Sequence, residues 1–105
     1  MAVDFEATKQ IAKDYADDVR RALPVDKVVL YGSHSRGNAT ESSDIDICFF
    51  LGDFNGKRRV DVIVELLDLS DGYKGVFFEP IAFQTSEIKR GNPFVKEILA
   101  TGIEI

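Results

Sequence analysis

Between Val28 and Phe50 the chain reads VVLYGSHSRGNATESSDIDICFF, and no other stretch limits the possible folds as much. Two apolar runs, Val28 to Tyr31 and Ile45 to Leu51, flank a polar loop that opens with Gly32-Ser33. Asp44 and Asp46 stand at the head of the second run with one residue between them. Strand side chains alternate faces, so the two aspartates project from one face and Ile45 and Ile47 from the other. Adjacent carboxylates repel, and burying them together is costly unless a cation lies between them. Hard oxygen ligands of this kind suit Mg2+ that also touches substrate phosphates. The Gly-Ser opening of the loop offers backbone N–H groups and a hydroxyl, which suit an anion. An anion cradle and a metal clamp therefore share one small region of sequence.

Each part has a plainer reading when taken alone. Gly32-Ser33 is then an ordinary turn, and a lone Asp-x-Asp occurs by chance in many exposed strands and loops. Arg36 either steadies a phosphate or pairs with an acid to order the loop. His34 reads most simply as an exposed loop histidine, and Ser43 as a residue that orders the turn before the acids.

At 105 residues, with 45% hydrophobic and 10% aromatic residues, the chain has material for one domain over 1–105 with a real core. The net charge of -5 argues against general nucleic-acid binding, which normally needs a basic stripe. One cysteine, Cys48, excludes an intramolecular disulfide and a multi-cysteine zinc site. No apolar run approaches a membrane span and the N-terminus is acidic and amphipathic, so a cytoplasmic protein without membrane association is expected.

Apolar residues at Phe5, Ile11, Ala12, Tyr15, Ala16, Val19 and Leu23 predict a helix over 4–23, with Asp4 as N-cap and Pro24 as the stop. Val25 to Tyr31 predicts a central strand, because Val28, Val29 and Leu30 are continuously apolar. Asp44 to Leu51 predicts the next strand, with Cys48 as a small core residue. Residues 57–69 fit both periods, and length favours a helix presenting Val60, Ile63, Val64 and Leu67. Residues 75–83 predict a third strand whose one charge is Glu79, an acid that needs a partner, a metal or an exit to water. A short helical turn follows at 85–89. Asn92-Pro93 then opens a last helix with Phe94, Val95, Ile98 and Leu99 as its buried stripe and Gly102 as its C-cap. Ile103 to Ile105 reads as an edge strand or a docking segment. Together these predict an α/β (α+β) domain, a small mixed sheet flanked by helices.

Gly32-Ser33, ten intervening residues, then Asp44-x-Asp46, within the longer pattern GSxxRGxxxxxSDID, resembles the DNA-polymerase-beta-like nucleotidyltransferase superfamily. In length and end-to-end pattern the chain resembles the minimal nucleotidyltransferase (MNT) group. The resemblance implies that Asp44 and Asp46 hold two Mg2+ ions. It implies a third acid on a neighbouring strand, for which Glu79 is the best match although the family more often has aspartate there. Asp61 is the substitute should its segment prove a strand. Gly32, Ser33 and Arg36 would bind the phosphates of ATP. Larger relatives close the site with a second, helical domain, for which this chain leaves no residues, so a second protein or a second copy of the chain is expected to complete it. Minimal members are typically paired with a HEPN-domain toxin and transfer AMP to a tyrosine of that ribonuclease, acting as its antitoxin. Two other roles stay open: a non-catalytic module that neutralises its partner by contact, and a small-molecule nucleotidyltransferase of the aminoglycoside type.

Overall fold

The computed structural model describes residues 5–32 and 44–105. The Asp4 cap, Ser33, His34, Arg36 and Ser43 lie outside the described residues. In chain order the elements are α1 (Phe5–Ala22), β1 (Val25–Tyr31), β2 (Ile45–Leu51), α2 (Arg59–Ser70), β3 (Phe78–Gln84), α3 (Glu87–Arg90), α4 (Pro93–Thr101) and β4 (Ile103–Glu104). The strands form one mixed sheet in the order β3-β2-β1-β4. β1 runs antiparallel to β2 and to β4, and β2 runs parallel to β3 with α2 as the crossover. This is the mixed α+β architecture expected from the sequence.

β1 and β2 are apolar on both faces because both faces are covered. On one face Val28, Leu30, Ile47, Phe49 and Leu51 pack with Ala12, Tyr15, Ala16 and Val19 of α1 and Val62 and Leu66 of α2. The Tyr15 hydroxyl, buried in this layer, donates to the Leu66 carbonyl at 2.5 Å and ties α1 to α2. That bond satisfies a polar group that would otherwise cost about 1–3 kcal/mol to bury. On the opposite face Val29, Cys48, Phe50 and Phe83 pack with Val95 and Ile98 of α4. Cys48 is the small core residue expected, and burial pushes its thiol up to about 12.

Three expectations are corrected. α2 is a helix, but it buries Val62 and Leu66, while Val60, Val64 and Leu67 are exposed. Apolar residues occupy two sides of this helix, so periodicity alone could not choose between them. Contact with Tyr15 and the sheet made the choice. Phe94 is about half exposed, not buried, although its ring lies edge-on to Tyr31 and Phe83. β3 begins at Phe78, which leaves Phe77 outside the strand and 76% exposed.

The last helix starts as expected. The Asn92 side chain accepts from the N–H groups of Phe94 and Val95, with Pro93 in the first turn. Gly102 ends it for a different reason than a left-handed cap. Its φ is -83°, and a Cβ there would collide with Val29, with the Ile98 carbonyl oxygen at 2.6 Å and with the Leu30 carbonyl oxygen at 2.9 Å. Glycine lets the chain cross close over β1 and pair as β4, so the C-terminus forms the edge strand. Pro80 sits within β3, opposite Ile47, where an edge strand tolerates the missing N–H.

Candidate active site

The site lies where the second face of the sheet emerges from beneath α4. Alternation along β2 puts Asp46 in the same row as Cys48 and Phe50, and Asp44 continues that row past the strand end. On β1 the row containing Val29 ends at Tyr31, which pairs with Asp46. On β3 Glu79 pairs with Asp46 from the other side. The parallel crossover through α2 therefore sets the third acid directly beside the Asp-x-Asp pair, although 32 positions separate Glu79 from Asp46 in sequence.

The acids interact. The Glu79 carboxyl is held above its usual range, first by its side-chain hydrogen bond to Asp46. Desolvation follows, then the Asp46 charge, and then the hydrogen bond and charge of Asp44. The neighbouring carboxylates therefore disfavour the charged form of Glu79 in the absence of a cation. Tyr31 is raised too, chiefly by burial and then by the charges of Asp46, Cys48 and Glu79. Such a donor set fits a hard divalent cation, which takes all-oxygen ligands and offsets the repulsion between the carboxylates. Among the described residues no three acidic, histidine or cysteine side chains are already gathered into a metal cage. The acids are thus close enough to raise the Glu79 carboxyl but are not pre-gathered around one point.

Gly32 has a role that its reading as a turn residue misses. Its φ is +74°, and a Cβ there would strike Asp46 Oδ2, with Asp46 Cγ at 3.1 Å and Cβ at 3.3 Å. Glycine is needed both for the backbone turn and for Asp46 to occupy its position. The sequence offered a signal for the first requirement and none for the second. Asp61 falls out as the substitute acid. It is the third residue of α2, accepting from the Arg58 backbone N–H at 3.1 Å and from the Arg58 guanidinium.

The fold is a mixed sheet covered by helices on both faces, with Asp46 and Glu79 side by side next to a glycine turn at one end. The chain belongs to the nucleotidyltransferase domain family, whose sequence model matches residues 12–99. It is 24% identical over 98 residues, 91% of this chain and 96% of the relative, to a Methanocaldococcus jannaschii protein named "Putative protein adenylyltransferase MJ0141". A crystal structure titled as a "putative nucleotidyltransferase" from Sulfolobus solfataricus superposes with a TM-score of 0.64 at 22% identity, covering 90% of this chain and 76% of that one. That likeness speaks for the fold. Among the described residues no helix is long and apolar enough to cross a membrane.

Proposed function

We propose that this nucleotidyltransferase is an Mg2+-dependent protein adenylyltransferase that moves AMP from ATP to a tyrosine hydroxyl of a partner protein, a HEPN-type ribonuclease toxin in the reading that the MNT resemblance suggests. The observation that carries the catalytic part is Glu79 standing opposite Asp46, with its carboxyl raised by Asp46 and Asp44. The name of the Methanocaldococcus jannaschii relative supports a protein acceptor.

Asp44, Asp46 and Glu79 would hold the Mg2+ ions. When bound, the ions neutralise phosphate charge and lower the pKa of the attacking hydroxyl. Gly32 and Ser33 would position the terminal phosphates, assisted by Arg36. The acceptor oxygen forms its bond to the α-phosphorus as the bond to the β-phosphate oxygen breaks, pyrophosphate leaves, and the hydroxyl proton passes to a carboxylate or to solvent. The protein's contribution is chiefly orientation and a fixed electrostatic frame.

One observation favours a second reading, neutralisation of the partner by contact alone. Val60, Val64 and Leu67 form an exposed apolar row on α2, and Phe77 is exposed as well. Incubation with radiolabelled ATP, Mg2+ and the product of the adjacent reading frame decides between the two. Label on the partner that disappears with Asp44→Asn selects transfer. Tight binding without label selects contact, and neither label nor binding removes both.

A further inference from the structure

A cavity of about 200 Å3 opens beside the acids, between the end of β1 and α4. Tyr31 and Gly32 form its floor, and Phe94, Glu97 and Thr101 form its wall with Ile98. The wall residues recur at helical spacing, so one flank of α4 runs alongside the cavity. It lies on the β1 side of Asp46, whereas Glu79 lies on the β3 side. A molecule held with its reacting phosphorus at the acids would extend one end into this cavity and leave the Glu79 side open for an acceptor.

The lining selects which end enters. The cavity is smaller than the 300–1,000 Å3 typical of sites enclosing a whole drug-sized ligand, so it suits a single ring system. The rings of Phe94 and Tyr31, set edge-on at 6.1 Å, offer apolar and aromatic surface. Glu97 is an exposed carboxylate that repels phosphate and accepts hydrogen bonds from N–H groups. Thr101 spends its hydroxyl proton on the Glu97 carbonyl at 2.8 Å, so at this wall it too acts as an acceptor. An aromatic floor with acceptors on the wall fits a nucleobase that presents an exocyclic amino group.

Resting on the nucleotidyltransferase reading, we infer that the cavity between Tyr31 and α4 is the base subsite and that Glu97 selects aminated bases over those lacking the amino group. Glu97 is the specificity determinant, and the Phe94 ring supplies affinity without selectivity.

The test is isothermal titration in Mg2+ with ATP, with purine riboside triphosphate, which differs by loss of the 6-amino group, and with inorganic tripolyphosphate. The wild type is expected to prefer ATP about ten-fold, equivalent to ~1.4 kcal/mol. Glu97→Ala should bring the two constants within about two-fold, and Glu97→Gln, which keeps a carbonyl acceptor, should retain part of the preference. The ratio is the readout, because losing a carboxylate near a triphosphate strengthens both. Phe94→Ala should weaken both nucleotides alike and leave tripolyphosphate unchanged. Circular dichroism confirms folding, which the exposed position of Glu97 leaves intact. If tripolyphosphate binds but the ratio is the same with and without Glu97, the subsite is overturned and nucleotidyl transfer stands. If nothing binds, both fall.

Discussion

Replacing Gly32 by alanine separates two demands made on one residue. The backbone at φ +74° is left-handed, which costs a residue with a Cβ about 1–2 kcal/mol. For a domain of this size that lowers Tm by roughly 5–15 °C. The new methyl would also overlap Asp46 Oδ2 and crowd its Cγ and Cβ. Oδ2 is the free end of a side chain, so the overlap is relieved by turning Asp46 aside and adds little to the stability loss. If Asp46 acts as proposed the functional cost is larger, since displacing a catalytic group by about 1 Å loses roughly 100-fold in rate. Gly75→Ala is the matched control, because its φ is +77° and nothing lies within 4 Å of the added Cβ. Scanning fluorimetry should give both variants a similar drop in Tm. Under the proposed function Mg2+ with ATP should stabilise the wild type further, by about 2.7 kcal/mol at a hundred-fold excess over Kd, and only the control should keep that gain. Were Gly32→Ala to retain that gain and its transfer rate, the tight approach of Asp46 to the glycine would have no part in function.

Glu79→Gln removes a carboxyl whose folded pKa is raised, so the variant should gain stability without metal above the unfolded carboxylate value of about 4.3 and lose most of the Mg2+-dependent rise; melting curves with and without Mg2+ check both. Gly102→Ala sets a methyl against two carbonyl oxygens and should cost about 1–3 kcal/mol, or free β4, which amide exchange at Ile103 and Glu104 would report. Asn92→Ala removes the cap of α4 and should cost about 1 kcal/mol by urea titration. The Asp18 carboxyl is held below its usual range, first by its hydrogen bond from Tyr73 and also by Arg21. A lowered folded pKa means that this stabilisation is present above the unfolded value of about 3.9 and lost as pH falls through the folded one. Tyr73→Phe should move the Asp18 titration upward by carbon-detected NMR, and an unmoved titration would assign the shift to Arg21 alone.

Much of the fold was legible in local patterns. The Asn92-Pro93 start, the central strand at 25–31 and the Asp-x-Asp strand depend on alternation, capping and proline chemistry, which act over a few residues. The apolar face of α2 was not legible, because Val60-Val64-Leu67 and Val62-Leu66 are equally good helical rows. Phe94 looked like core and is a cavity wall. The candidate site was half legible: Asp44 and Asp46 announced themselves by spacing, whereas Glu79 was one charge in an apolar run.

From its residues alone the chain determined that two carboxylates share a strand face next to a glycine turn, since strand alternation and glycine conformation are local properties. Only the tertiary structure decided that Glu79 stands opposite Asp46, that Gly32 must lack a side chain for Asp46 to fit, and that α4 leaves a cavity beside them. Those facts arise from the parallel β2–β3 register and from how closely the last helix approaches β1. Both are set by packing between segments far apart in the chain, where spacing carries no information.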